Sequence, residues 1–331
     1  MVKKMRCLVT GAAGFIGSHL TEALLEKGYQ VWAYVRNPRF LEKMEDTQLY
    51  TWYGDLTDLD SLKHLLQKKQ FDYVFHLAGV TKAQSENIFN EINCIATKNL
   101  LMLIEKTQKK IKRFIFFSTL AAIGPGDDNA PIKEDRQPEP IGFYGKSKLQ
   151  AEKLFADFTI PYTIIRPPAV YGPRERDIYT FFKMANTYRI TPILGGGVHV
   201  LSMIYVTDLV QGSIQAALSE NSIGKAYFLT DGNVYTWQQF AKATEKALDK
   251  HLFKITIPVF LIKIVGLIGE FIGKLRGKQG AINKEKVEEM LALNWSCSDD
   301  LACKDFNYAP KTKIEKGILL TINWYKKEGW L

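Results

Sequence analysis

Thr10-Gly11-Ala12-Ala13-Gly14-Phe15-Ile16-Gly17 lies between an apolar run, Met5-Arg6-Cys7-Leu8-Val9, and a stretch with apolar residues at helical spacing, Ile16, Leu20, Ala23 and Leu24. A short apolar run ended by a glycine turn reads as a buried strand. The periodic stretch stops at Gly28, a C-cap position. Strand, glycine turn and helix together bring backbone N–H groups and the positive end of a helix dipole onto a phosphate. The glycines follow a GxxGxxG spacing. They suit a chain that turns tightly, approaches a pyrophosphate where a Cβ would clash, and packs helix on strand. These residues predict a dinucleotide site built from Gly11, Gly14, Phe15, Ile16 and Gly17.

The alternation continues outward from that turn. Gln30–Val35 reads as a second strand, with further strands near 48–53, 72–77 and 111–118. Helices are expected near 58–68 and 88–107, and another opens near 144. Strands alternating with helices imply an α/β fold, a Rossmann-like doubly wound parallel sheet covered on both faces. Ligands then bind beyond the carboxyl ends of the strands, where Gly11, Arg36, Asp55, Ala78 and Thr119 fall. After Tyr162-Thr163-Ile164-Ile165-Arg166 the regularity weakens at Pro167, Pro168, Gly172, Pro173 and Gly195-Gly196-Gly197. The expectation is a dinucleotide-binding domain over 1–170 and a mainly substrate-binding lobe over 171–331, with some segments returning to the sheet.

Composition narrows the function classes. A chain of 331 residues, 46% hydrophobic and 24% charged, buries a sizeable core and is globular. Its net charge of +9 would suit nucleic acid, a membrane surface or anionic ligands. The lysines are scattered in short pairs such as Lys68-Lys69 and Lys109-Lys110, without a basic stripe interleaved with aromatics, so no nucleic-acid partner is expected. A phosphate-bearing cofactor accounts for part of the charge. Cys7, Cys94, Cys297 and Cys303 match no zinc or redox spacing, and no metal is expected. The N-terminus runs straight into a strand, which predicts a cytoplasmic protein without a secretory signal. Residues 257–275 are strongly apolar but interrupted by Lys263, Glu270 and Lys274, leaving no uninterrupted span of about twenty residues. A packed helix is expected there, with peripheral membrane contact as the alternative.

The end of the second strand bears on the cofactor. An acid there would accept hydrogen bonds from the ribose 2′-OH of NAD. The stretch is Ala33-Tyr34-Val35-Arg36-Asn37-Pro38-Arg39, with no acid and two arginines. A guanidinium pairs bidentately with a 2′-phosphate, and Lys43 is near enough in sequence to add charge. NADP(H) is therefore expected over NAD(H), held by Arg36 and Lys43. Asp55, followed by Leu56, stands where a carboxylate could accept from an adenine amino group or cap a helix. Leu77, Ala78 and Gly79 end the fourth strand with residues small enough for a cofactor to lie over the backbone. His76 before them reads as structural.

Tyr144 and Lys148 are four positions apart and share a helical face. A phenol with a pKa of about 10 is a poor base at neutral pH. A neighbouring ammonium favours the phenolate and draws that pKa toward the working range. The lysine can also hold a nicotinamide ribose. Ser118-Thr119, at the end of the fifth strand, supply a hydroxyl for the substrate oxygen.

With these motifs in order, the chain resembles an extended short-chain dehydrogenase/reductase of the NAD-dependent epimerase/dehydratase family. The resemblance rests on TGxxGxxG at 10–17, Gly54-Asp55-Leu56, His76-Leu77-Ala78-Gly79, Phe117-Ser118-Thr119, YxxxK at 144–148 and Arg166-Pro167-Pro168. It implies a catalytic set of Thr119, Tyr144 and Lys148, with Thr119 on the usual serine position counted back from Gly124 and Ser118 as its rival. It also implies that Asn93 and Pro168 lie near the cofactor. Thr81, Ser118, Tyr171 and Arg174 are candidate substrate residues. Nucleotide-sugar 4-epimerases resemble the chain in YGKSK and in Ile204-Tyr205-Val206-Thr207-Asp208, but usually carry the NAD-selecting acid. Sugar 4,6-dehydratases carry an Asp-Glu pair where Leu120-Ala121 stand here. The Val35-Arg36 strand end, and a tail with Trp295, Asp299, Phe306, Pro310, Gly317 and Trp324-Tyr325, are similar to the dihydroflavonol reductase and 3β-hydroxysteroid dehydrogenase-like branch. That branch implies reversible reduction of a ketone on a largely apolar substrate. A sugar-nucleotide enzyme, with Arg174, Arg176 or His199 on a phosphate, is the alternative. An NADP-sensing binding protein is a third possibility, though it would be expected to lose YxxxK. Relatives pair helices near 92–107 and 144–158 across a dimer interface, so a homodimer is implied, with Leu100, Leu101, Leu103 and Ile104 offering apolar surface.

Overall fold

The computed structural model describes residues 4–127, 130–194, 199–264, 266–267 and 284–331. Six strands form in the first half: β1 (Arg6–Thr10), β2 (Gln30–Val35), β3 (Leu49–Tyr53), β4 (Tyr73–His76), β5 (Arg113–Phe117) and β6 (Tyr162–Arg166). The chain then makes β7 (Ala169–Tyr171), β8 (Ile190–Leu194) and β9 (Val200–Tyr205) before β10 (Lys225–Phe228) returns beside β6. The main sheet has the order β10-β6-β5-β4-β1-β2-β3, and all its pairings are parallel. Alternation along β1 sends Cys7 and Val9 to one core and Leu8 to the other. The near-continuous apolar runs of β1 and β5 follow from burial on both faces. Helix α1 (Phe15–Glu26) covers the first face. Helices α2 (Leu59–Lys68), α4 (Ala96–Thr107) and α5 (Phe143–Leu154) contribute to the second core, with the short α3 (Glu86–Phe89) leading toward α4. Strand order reverses at β1, where Thr10 pairs with Tyr34 on one side and His76 on the other. A doubly wound sheet opens its ligand crevice at such a switch point.

One predicted helix differs in detail. The segment expected near 88–107 begins as α3, widens into a π-helical turn over Asn90–Ile95 and continues as α4. The Thr97 hydroxyl donates to the Asn93 carbonyl at 2.8 Å, and Asn93 is buried. Single π turns of this kind cluster at functional sites because they redirect a side chain without ending the helix.

In the C-terminal half, β9 pairs with β7, with β11 (Val234–Thr236) and with β13 (Asn294–Trp295). Helices α6 (Asp177–Tyr188) and α8 (Trp237–Leu248) and the helix Ile314–Lys327 enclose a third core around Tyr171, Phe182, Phe240 and Tyr325. Helix α7 (Val206–Leu218) packs on the main sheet with α1. β12 (Phe253–Ile257) pairs with β8. Of the apolar 257–275 stretch, 259–264 and 266–267 are helical and the remainder beyond 267 lies outside the described residues. Ile262 is buried, but Phe260 and Leu267 are 61% and 64% exposed, which a packed helix does not explain. Among the described residues, no helix is long and apolar enough to cross a membrane. The apolar surface expected on α4 is also placed differently. Leu100, Leu101 and Ile104 are buried in the chain's own core and Leu103 packs against it, leaving Ile95 and Met102 exposed.

Candidate active site

The β1–α1 turn needs its glycines. Gly11 has φ +72°, and a Cβ there would stand 2.7 Å from the Ala78 amide nitrogen. A Cβ on Gly17 would meet the Gly11 carbonyl oxygen at 2.1 Å. The turn thus lies directly on the end of β4, and α1 begins without a side-chain cap. Gly11, Gly14, Phe15, Ile16 and Gly17 line one wall of a cleft of about 530 Å3. Leu77, Gly79, Thr81, Ser118, Thr119, Tyr144, Lys148, Pro168 and Arg174 line the rest of it together with Arg39 and Phe40. Uncapped N–H groups beside a cradle that a Cβ would fill suit a dinucleotide pyrophosphate.

Asn93 stands behind the cleft as a brace. Its amide donates to the Val80 carbonyl at 3.0 Å and to Ser147 Oγ at 3.0 Å, while the Val80 N–H donates to its Oδ1 at 2.8 Å. These bonds tie the loop after β4 to α5. His76 is fully buried between the hydroxyls of Thr10, at 2.6 Å, and Thr97, at 2.9 Å. Burial first, and then the charge of Lys148, lower its pKa to about 3, so it stays neutral.

Tyr144 and Lys148 project from the first turns of α5. Lys148 Nζ donates to the Phe117 carbonyl at 2.8 Å and lies 4.7 Å from the centroid of the Phe116 ring. Burial lowers its pKa to about 8, with the Glu152 carboxylate pulling the other way. Glu152 is itself held by Arg166 at 2.7 Å. The sequence argument expected the ammonium to lower the Tyr144 pKa, but here burial dominates and raises it to about 12. A hydrogen bond with Thr119 lowers it somewhat, and the charge of Glu289 raises it further. At neutral pH the site therefore presents a neutral phenol, fixed by Thr119 and ready to donate its proton.

Thr119 and Ser118 are distinguished by their surroundings. Thr119 Oγ1 also accepts from the Ala121 N–H at 3.2 Å. Ser118 Oγ is buried without a hydrogen-bond partner and borders only the dinucleotide cleft. Thr119→Ala should lower kcat about 10² to 10³-fold, as expected for one oriented hydroxyl. Ser118→Ala should leave kcat within about threefold and act on cofactor affinity instead. Steady-state rates of the two variants check this, and a larger kcat loss for Ser118→Ala would reverse the assignment.

Several predicted residues stand away from the cleft. Arg36 is exposed, with Nη1 3.5 Å from Asp55 Oδ2. Asp55 accepts from the N–H and hydroxyl of Thr57 at 2.9 and 2.6 Å, which holds its carboxyl below the usual range. The capping role it might have filled belongs to Asp58, the N-cap of α2. Leu56 is buried in the core, and Ala78 supports Gly11 through its backbone. Lys43 lies 3.3 Å from Glu328 on the wall of an adjoining cavity. The short helical turn Arg39–Lys43 after Pro38 brings Arg39, at φ +38°, to the cleft in place of Arg36 and Lys43. Tyr171 is fully buried against Gly317, where a Cβ would meet its hydroxyl at 2.2 Å, so it cannot reach a substrate. Arg174 lines the cleft, but Glu22 holds its guanidinium at 2.6 and 2.9 Å, with Ser18 Oγ at 3.1 Å. Its charge is therefore already neutralised by α1.

A second cavity of about 390 Å3 adjoins the first. The two share Thr119, Tyr144, Pro167 and Pro168. Its walls are mostly apolar, with Leu120, Leu201, Trp237, Met290 and Trp295, and its polar groups include His199, Ser202 and Glu289. Sequence reasoning missed Trp237, Glu289 and Met290, which carry no motif and reach the site only through the packing of the C-terminal half.

A glycine turn on a doubly wound sheet, with a Tyr-Lys pair and a threonine hydroxyl at the end of β5, defines a nicotinamide-dependent enzyme of the extended short-chain dehydrogenase/reductase type. Residues 7–229 match the model of the NAD dependent epimerase/dehydratase family, and the chain belongs to that family. It is similar to the ceramide reductase of Caulobacter vibrioides, at 26% identity over 325 residues covering 98% of this chain and 95% of that protein. It is also similar to the human decarboxylating sterol-4-alpha-carboxylate 3-dehydrogenase, at 27% identity over 269 residues covering 77% and 70%. Among solved structures, UDP-glucuronic acid 4-epimerase from Bacillus cereus in complex with NAD shares the fold, with a TM-score of 0.78, 24% identity and coverage of 98% and 99%.

Proposed function

We propose that this enzyme interconverts a ketone and a secondary alcohol on a small, largely apolar substrate, using NADP(H). One observation carries the reading: Tyr144 and Thr119 stand at the junction between the dinucleotide cleft and the largely apolar second cavity. A bound nicotinamide dinucleotide would supply or take up the hydride. Gly11, Gly14, Phe15, Ile16 and Gly17 would hold its pyrophosphate, and Leu77, Gly79, Lys148 and Pro168 its nicotinamide half. In the reducing direction Thr119 orients the carbonyl oxygen and Tyr144 gives that oxygen its proton. Lys148 would balance the phenolate that this transfer leaves on Tyr144, and would hold the ribose of the bound cofactor. The apolar walls exclude water and bind the rest of the substrate.

The NADP(H) preference is supported by the absence of an acid after β2 and by Arg39 at the cleft, with Arg36 and Lys43 close by in the chain. NADP(H) should bind at least tenfold tighter than NAD(H), a difference of about 1.4 kcal/mol. Arg39→Ala should remove more of that gap than Arg36→Ala or Lys43→Ala. Calorimetric titrations decide it, and equal affinities in the parent enzyme would refute the preference. For the reaction itself, NADPH absorbance would be followed over panels of apolar ketones and of sugar nucleotides. Turnover confined to the sugar nucleotides would overturn the reading.

A further inference from the structure

A third cavity, of about 480 Å3, adjoins the dinucleotide cleft. It shares Arg39, Phe40, Arg174 and Arg176 with the cleft and no lining residue with the second cavity. The cleft thus meets the second cavity at Thr119 and Tyr144, and the third at its arginines. Four cations, Arg39, Lys43, Arg174 and Arg176, and two carboxylates, Glu22 and Glu328, line the third cavity. Glu22 is taken up by Arg174, and Glu328 by Lys43. Arg39 and Arg176 have no carboxylate partner among the described residues. The acids beside Arg176 in the chain are also engaged. Glu175 accepts from the N–H groups of Asp177 and Ile178 at 2.5 and 2.6 Å, and Asp177 holds Lys82 at 2.5 Å.

Both free arginines are nevertheless set in place. Arg176, the N-cap of α6, lies over the Trp330 ring at 5.5 Å. Trp330 is fixed in turn: it stacks on Tyr325, centroids 5.4 Å and planes 7° apart, and the Tyr179 hydroxyl donates to its carbonyl at 2.5 Å. Arg39 is set by its backbone. Among the described residues, Arg189, Asp249 and Asn307 have positive φ as helix C-caps, where that conformation is common. The other non-glycine residues with positive φ are Arg39 and Arg174, at +38° and +73°, and both line the wall that the cleft and the third cavity share. Backbone strain of this kind clusters where a ligand is clamped.

We propose that Arg176, carried by the C-terminal half, reads the cofactor's 2′-phosphate together with Arg39, and that Trp330 positions its guanidinium. The cavity's surplus of two positive charges matches a phosphate monoester, which carries about −1.5 to −2 near neutral pH. Each guanidinium fork can take a pair of phosphate oxygens. NAD(H), with a neutral hydroxyl at that place, gains little from either. The inference rests on the NADP(H) reading and extends it to a residue far from the end of β2.

The test titrates the full chain with NADPH and with NADH calorimetrically at one ionic strength, because charges facing solvent are screened by salt. Arg176→Ala should narrow the NADPH-to-NADH affinity ratio about fivefold and leave NADH within about twofold of the parent. With Arg39→Ala added, the two cofactors should bind within about twofold of each other. Arg176→Lys, which keeps the charge and loses the fork, should recover part of the loss. Trp330→Leu should weaken NADPH in the parent and add nothing once Arg176→Ala is present, as expected of a residue that acts through the arginine. Parent-like NADH binding shows that each variant is folded. A ratio unchanged by Arg176→Ala would overturn the proposal while leaving the NADP(H) preference standing. An equal loss of both cofactors would place Arg176 on the pyrophosphate and overturn it too. If the parent binds the two cofactors equally, the NADP(H) reading fails and the inference with it.

Discussion

Tyr144→Phe should lower turnover about a thousandfold or more while NADPH affinity stays within about threefold of the parent. The substitution keeps the ring, which packs 6.3 Å from that of Phe89, and removes only the hydroxyl. That hydroxyl hydrogen-bonds Thr119 where the two cavities meet, and of the two hydroxyls the phenol is far the stronger acid, so it is the one placed to give a proton to a carbonyl oxygen. Its raised pKa, about 12, makes direction and pH inseparable. Ketone reduction needs the neutral phenol and a charged Lys148, so it should be flat below about pH 7 and decline as Lys148 loses its proton near pH 8. Alcohol oxidation needs the phenolate, so its rate should rise with pH over the same range. Stopped-flow absorbance in both directions measures this. A Tyr144→Phe enzyme keeping a tenth of the parent rate would remove Tyr144 from the chemistry.

Lys148→Met should abolish most activity, about a thousandfold, weaken the cofactor about tenfold and yet leave the unliganded fold no less stable near neutral pH. The activity loss follows from its place on the cleft wall, one helical turn from Tyr144. The stability effect follows from linkage. Its pKa falls from 10.5 in the free side chain to about 8 in the fold. Below pH 8 the charge is present in both states and its burial cost is fully felt. Between the two values the unfolded chain binds more protons, so stability rises with pH. Full deprotonation would recover on the order of 3 kcal/mol, against which stand the bond to the Phe117 carbonyl and the Phe116 contact. Denaturant titrations at pH 7.5 and 10 should show the rise in the parent and its loss in Lys148→Met. An identical rise in both proteins would mean that Lys148 is not a buried charge. The enzyme therefore holds at its centre a charge that its fold disfavours, a common signature of a site selected for function.

The sequence by itself determined those features that depend on neighbours along the chain. Gly11 and Gly17 are legible because backbone sterics leave few other residues able to make that turn. The Tyr144-Lys148 pair is legible because four residues span about one helical turn. The doubly wound sheet follows from apolar runs alternating with helical periodicity, and the observed strands lie within a few residues of those predicted. Only the tertiary structure decided what each side chain meets. Arg36 and Arg39 are equal as letters, yet a short turn after Pro38 carries one to the cleft and leaves the other on Asp55. Arg174 looked free for a substrate until Glu22, 152 positions away, proved to hold it. The phenol of Tyr144 was expected to be acidified by its lysine, but partial burial raises its pKa instead. Glu289 reaches the cavity only because the C-terminal half packs it against α5. Turns and helical spacing are local energies and so can be read from sequence, whereas burial, ion pairing and cavity walls arise from long-range packing that no short motif encodes.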